Sequence, residues 1–243
     1  MIRCKLRKYA IVLPLCAVFF ISLCTYTYLR FYNYLNSDYS EKLSQKNIFY
    51  NVAGGDGDFI TSGNVIGFYI ILFVLFLFYI FTDENESYIV RLKSRASFVT
   101  GRIADCAVFA FLFSFLIEAV NVVAALICFD INLILELNFL QYSALELLTL
   151  FLFYFRAGLV MLSFGIIISP KVAPFITIAL YLMISKVWLP FRDSVVVSKL
   201  MHGEMVLSDM WGIILRALLM MFLLIFSSYF LYQKKDVLSN VKK

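Results

Sequence analysis

The sequence predicts an all-α integral membrane protein with six transmembrane helices. Three observations lead there. Of the 243 residues, 63% are hydrophobic. Only 15% are charged, against about 25% in an ordinary soluble domain. The apolar residues also gather into runs long enough to cross a bilayer. A soluble domain of this length cannot hide so much apolar surface in one core, and would expose patches that aggregate. A soluble catalytic domain is therefore excluded. The net charge of +5 fits membrane topology better than a phosphate-binding face, so nucleic acid is not an expected partner.

A spanning helix needs about 20 mostly apolar residues. The runs 9–29, 65–81, 103–129, 143–168, 172–189 and 211–232 qualify, within one transmembrane domain over 1–243. The long polar connection 30–64 follows the first span, and the short charged segment 82–102 follows the second. Residues 169–171 form a tight break, with Pro170 inside it and Pro174 just after it.

Lys and Arg set the orientation. Thirteen of the 21 fall on one side: Arg3, Lys5, Arg7, Lys8, Arg91, Lys93, Arg95, Arg102, Lys171, Lys234, Lys235, Lys242 and Lys243. Five fall on the other (Arg30, Lys42, Lys46, Arg192, Lys199), and Arg156, Lys186 and Arg216 lie within spans. Both termini are expected inside and the 30–64 loop outside, in a multi-pass cell membrane protein. Trp188, Trp211 and the Tyr26, Tyr28, Tyr32, Tyr34 group fall at the outer boundaries, where an aromatic belt belongs. The basic start before an apolar run imitates a signal peptide, but no A-x-A-like cleavage site follows. The run is expected to remain as the first span.

Enzyme chemistry finds little footing. His202 is the one histidine and falls in an outer loop, and the five cysteines (Cys4, Cys16, Cys24, Cys106, Cys128) form no C-x-x-C pair, so no metal site is expected. Gly55-Asp56-Gly57-Asp58 spells G-x-G-D, but in an aqueous loop and without a second intramembrane Asp, so it reads as a turn. Ser163 lacks a histidine base inside the bilayer. No G-x-x-x-x-G-K-[ST] run is present, so the chain carries no P-loop and no cofactor of its own is expected.

Segment 82–102 has the pattern of a short amphipathic helix. Asp83 and Glu86 suit its first turn, and bases occupy the later turns, as the helix dipole prefers. Tyr88, Leu92, Ala96 and Val99 share one face, and Arg91, Arg95 and Arg102 another. Such an element lies on a membrane surface or docks into a partner's groove. Gly101 offers a hinge before the third span. Within the bilayer, Glu118 and Arg156 lie at depths differing by roughly 3 Å when counted from the predicted outer edges. They are expected to pair, with Glu146 near the outer edge a weaker competitor for Arg156, because an unpaired charge there costs several kcal/mol. Phe109, Phe111, Phe113 and Phe115 are expected to face lipid.

The six-span layout, the amphipathic connector and the tight inner break resemble the ABC-2 type (type V) membrane subunits of ABC exporters. The run Glu86-Ser87-Tyr88-Ile89-Val90-Arg91-Leu92-Lys93-Ser94-Arg95 is similar to the R-L-x-S-R coupling region of small Gram-positive permeases for peptide toxins and bacteriocins. The resemblance implies a non-enzymatic permease subunit paired with a second copy or a paralogue in the bacterial plasma membrane. It also implies two separate ATPase subunits that hold ATP and Mg, with a hydrophobic or amphipathic peptide as cargo. Glu86, Tyr88, Arg91, Leu92, Lys93 and Arg95 would then be the ATPase-coupling residues. The long 30–64 loop departs from that layout. Two other functions fit the composition: a membrane scaffold or immunity protein that moves nothing, and an ion-coupled secondary transporter that uses Glu118.

Overall fold

The computed structural model describes residues 2–35, 49, 59–60, 64–81, 95–187 and 207–234, and the elements among them are helices. They are α1 (Ile2–Leu35), α2 (Ile70–Phe81), α3 (Arg95–Cys128), α4 (Ile131–Glu136), α5 (Phe139–Ile167), α6 (Ala173–Val187) and α7 (Leu207–Lys234). A π-helical turn, Asn64–Tyr69, leads into α2. In hydrocarbon there is no water to satisfy backbone groups, so the apolar runs close their hydrogen bonds within helices.

Among the described residues, five stretches are long and apolar enough to cross a membrane: Leu6–Leu29, Asn64–Phe81, Ser97–Cys128, Phe139–Ile167 and Asp209–Tyr232. The fifth expected span, 172–189, differs. Its helix α6 has 15 residues, about 22 Å at 1.5 Å per residue, less than the roughly 30 Å of a hydrocarbon core. Residues 188–189 of that expected span lie outside the described residues.

Two boundaries move. The third helix starts at Arg95 rather than at residue 103 and runs through Gly101 without interruption. A Cβ at Gly101 would meet nothing within 4 Å. The expected hinge is thus an ordinary, open helical position. The fourth span begins at Phe139, four residues before the predicted edge. Asn138 adopts the left-handed conformation, φ 51°, which Asn tolerates better than most residues, and α5 starts directly after it. Before it, Asp130 caps α4 by accepting the Asn132 amide at 3.0 Å. The tight break after α5 is present as expected, with the Val172 and Ala173 amides both bonded to the Ser169 carbonyl.

Contacts fix the helix directions. Lys8 near the start of α1 reaches Tyr79 and Ile80 at the end of α2. Arg102 near the start of α3 reaches Phe81. Phe98 of α3 stacks on Tyr232 at the end of α7, with ring centroids 5.3 Å apart. Ser163 of α5 bonds Ser228 of α7 at 2.8 Å. Successive long helices therefore alternate in direction. The starts of α1, α3 and α6 share one end of the bundle with the ends of α2, α5 and α7. Lys8, Arg102 and Lys171 all stand there, and we call it the basic end.

Helix α5 is the most buried span and packs against α2, α3, α4, α6 and α7. Between α1, α2, α3 and α5 lies an aromatic core of Phe20, Tyr69, Phe73, Phe109, Phe113 and Tyr154, all fully buried. Phe73 stacks on Phe109 at 5.3 Å, and Phe20 and Tyr154 meet Phe113 edge-on. The expectation of four lipid-facing phenylalanines thus fails for two. Phe111 and Phe115 are exposed, while Phe109 and Phe113, one helical face away, are core.

Candidate functional site

Among the described residues, two clusters of charged side chains stand out in the apolar bundle. The first is a collar at the basic end. A helix leaves its last carbonyls without intrahelical partners, and its dipole makes that end partially negative. The last turn of α2 is covered by cations from both neighbours. Lys8 of α1 donates to the Tyr79 carbonyl at 2.6 Å and the Ile80 carbonyl at 3.2 Å, and sits over the Tyr79 ring. Arg102 of α3 donates to the Phe81 carbonyl at 3.4 Å, with its guanidinium 4.2 Å from the Phe81 ring centre and 5.2 Å from that of Phe98. Both cations are buried. Hydrogen bonds from charged donors are worth about 1.5–3 kcal/mol each, and the ring contacts about 0.5–2 kcal/mol. The end of α2 is thereby bound to both α1 and α3.

Of the expected coupling residues, Glu86, Tyr88, Arg91, Leu92 and Lys93 lie outside the described residues. Arg95 is the first residue of α3.

The second group lies toward the opposite end. Glu118 of α3 is buried, 4% exposed, and neither carboxylate oxygen receives a hydrogen bond among the described residues. Its charged neighbour is Glu146 of α5, itself 1% exposed. The Ser143 hydroxyl stands beside the Glu118 carboxyl without reaching hydrogen-bond geometry. Tyr28 of α1 faces Glu118 and donates to Asn121 Oδ1 at 3.3 Å. Tyr154 faces Glu146 and Tyr69, and donates to the Val65 carbonyl at 3.3 Å.

The expected Glu118–Arg156 contact is not the one the helices make. In antiparallel neighbours, facing residues keep a constant sum of numbers. A Cβ at Gly158 would lie 3.3 Å from Cys106, and Glu118 faces Glu146; both pairs add to 264. Arg156 therefore stands level with residue 108, about 15 Å from Glu118 along the helix, where it faces Tyr181 of α6. The early start of α5 at Phe139 carries Arg156 one turn deeper than the predicted edge implied, which accounts for about 6 Å of that separation. Arg216 is exposed and its Nε donates to the Gly212 carbonyl one turn back at 3.4 Å.

Sequence reading counted Lys8 and Arg102 as topology charges, and did not single out Ser143, Asn121 or Tyr154. The α3–α5 register would have found Glu146 opposite Glu118. No protein-family model, curated protein or solved structure matches the chain.

Proposed function

We propose that the chain is the permease subunit of an ATP-driven exporter of the ABC-2 kind, powered by separate ATPase subunits that dock on the inner connector 82–94. The observation that carries this reading is the unbroken helix from Arg95 to Cys128. At 1.5 Å per residue its 34 residues extend about 51 Å, well beyond a 30 Å hydrocarbon core. Its first turn therefore projects from the membrane at the basic end, beside the connector. A continuous helix transmits displacement of that end into the bundle. The Lys8–Arg102 collar makes α1, α2 and α3 respond together, against α5. Under the positive-inside rule the basic end is cytoplasmic, which is where ATP is available.

In this reading Arg91, Lys93 and Arg95 meet acidic or polar groups of the ATPase, and Tyr88 and Leu92 pack into its cleft. The exported molecule is a hydrophobic or amphipathic peptide, for which an apolar bundle is a suitable solvent. The test is purification of the chain from its own membrane in mild detergent, followed by identification of what accompanies it. An ATP-hydrolysing subunit should copurify, and replacing Arg91 and Arg95 by Glu should release it while the helical content stays unchanged. Retention after the double charge reversal would reject the docking assignment.

A further inference from the structure

We infer that the facing polar residues of α3 and α5 form a hydrated compartment, and that the Phe49 side chain is the removable plug that closes it. Three observations converge, and none depends on how the bundle is driven. First, polar side chains stack in the α3–α5 register. Asn121 stands opposite Ser143, Glu118 faces Glu146, and Ser114 lies at the level of Thr149. All of them are buried. These levels cover residues 114–121 of α3, about 10 Å along the helix. Second, hydrogen-bonding capacity is left over in that column. Asn121 accepts from Tyr28, the Thr149 hydroxyl donates to the Glu146 carbonyl, and Glu146 has a partner of its own. The Ser114 and Ser143 hydroxyls and both carboxyl oxygens of Glu118 make no hydrogen bond among the described residues. These groups come from both helices and from every level of the column. Buried polar groups so arranged are satisfied by ordered water, which can donate and accept.

Third, both ends of the column are aromatic. Toward the basic end, Phe113 meets Tyr154 edge-on at 5.0 Å. One turn beyond Asn121 in the other direction, Ala125 stands opposite Phe139, and there the Phe49 ring is seated. It is fully buried, edge-on to Phe129 at 4.9 Å and to Phe139 at 5.1 Å, and clusters with Ala125, Ile134 and Leu137. The two closures differ in kind. Phe113 and Tyr154 belong to spanning helices and cannot withdraw without unpacking them. Phe49 comes from the connection 30–64, the part of the chain that departs from the ABC-2 layout. That connection is tied down separately at Phe59, whose carbonyl accepts from the Tyr69 hydroxyl at 2.5 Å. Phe49 can therefore leave its socket while that anchor holds.

The experiment labels the full chain in detergent micelles with a small, positively charged methanethiosulfonate that does not enter hydrocarbon. Mass spectrometry of fragments reads each cysteine separately. Ser143→Cys places a thiol inside the compartment. Cys106, fully buried where α3 meets α5, reports the dry core, and the exposed Cys128 reports free access. A thiol reacts as its thiolate, which apolar burial suppresses, so a dry seam stays unreactive even when unplugged. With Phe49 in place, Ser143→Cys should react about as slowly as Cys106. Adding Phe49→Ala should speed it by about tenfold or more, toward the rate of Cys128, with Cys106 unchanged. The inference is overturned if Ser143→Cys reacts as fast as Cys128 while Phe49 is present, or if Phe49→Ala leaves it slow. A parallel rise at Cys106 also overturns it, because the whole bundle has then loosened. If Phe49→Ala does not fold, Phe49→Leu decides. It keeps an apolar but smaller side chain and should speed the reaction by about threefold or more, and an unchanged rate would overturn the inference.

Discussion

At Gly158 α5 approaches α3 closely, and its replacement by Ala tests the packing that joins them. A Cβ there would lie 3.2 Å from Leu77 Cδ2, 3.3 Å from Cys106 Cβ and 3.3 Å from Cys106 Sγ. Ordinary carbon contacts sit at about 3.5–4.0 Å. The Leu77 methyl can rotate away, but Cys106 Cβ is fixed to the α3 backbone, so α3 itself must retreat by a few tenths of an ångström. Overpacking of this kind costs about 1–3 kcal/mol, and exchanging Gly for Ala in a helix returns up to about 1 kcal/mol. At Gly101 nothing lies within 4 Å, so Gly101→Ala keeps only the gain. The two substitutions should therefore differ by about 1–3 kcal/mol, with Gly158→Ala the less stable. Equilibrium unfolding in mixed micelles, read by circular dichroism, measures that difference. Adding Cys106→Ala to Gly158→Ala should recover part of the loss, because it removes the sulfur and leaves the Cβ. Equal stability of Gly158→Ala and Gly101→Ala would refute the close approach of α3 to α5.

Other substitutions probe the remaining contacts. Lys8→Met removes two hydrogen bonds from a buried ammonium and should destabilise the fold by about 1.5–3 kcal/mol in the same assay, with Lys8→Arg costing less. Arg102→Lys keeps the charge but loses the flat guanidinium between Phe81 and Phe98, which should cost about 1 kcal/mol. Tyr154→Phe leaves the Val65 carbonyl without its bond and should cost about 1 kcal/mol without changing the aromatic packing. Ser228→Ala breaks the Ser163 contact and should cost about 0.6 kcal/mol, the usual worth of an interhelical hydrogen bond in a membrane.

Much of the architecture was legible because lipid imposes a simple rule: long apolar runs become helices. The runs around 9–29, 65–81, 103–129, 143–168 and 211–232 all correspond to helices that can span. What composition does not encode is where a helix extends past its apolar run. Arg95 to Arg102 is polar and reads as connector, yet it continues α3, because the Arg102 guanidinium is held by the Phe81 carbonyl and two rings. Phe139 to Tyr142 is amphipathic and reads as loop, yet the left-handed turn at Asn138 starts α5 there. That four-residue difference supplies about 6 Å of the distance that separates Arg156 from Glu118. Charge alone marked Glu118 as needing company, but its actual neighbour, Glu146, is a second acid that no pairing rule would select. Phe109 and Phe113 were separable from Phe111 and Phe115 only by knowing which face of α3 meets α1 and α2.

The account rests on energy entering through the basic end and reaching the α3–α5 contact. Spin labels at Val123 on α3 and Leu148 on α5, both exposed, report the separation of these helices near the acidic pair. Measured on the chain together with the proposed ATPase, that separation should shift when ATP is added, and the shift should vanish when Arg91 and Arg95 are replaced by Glu. A separation indifferent to ATP, or a shift that survives the charge reversal, would contradict the account.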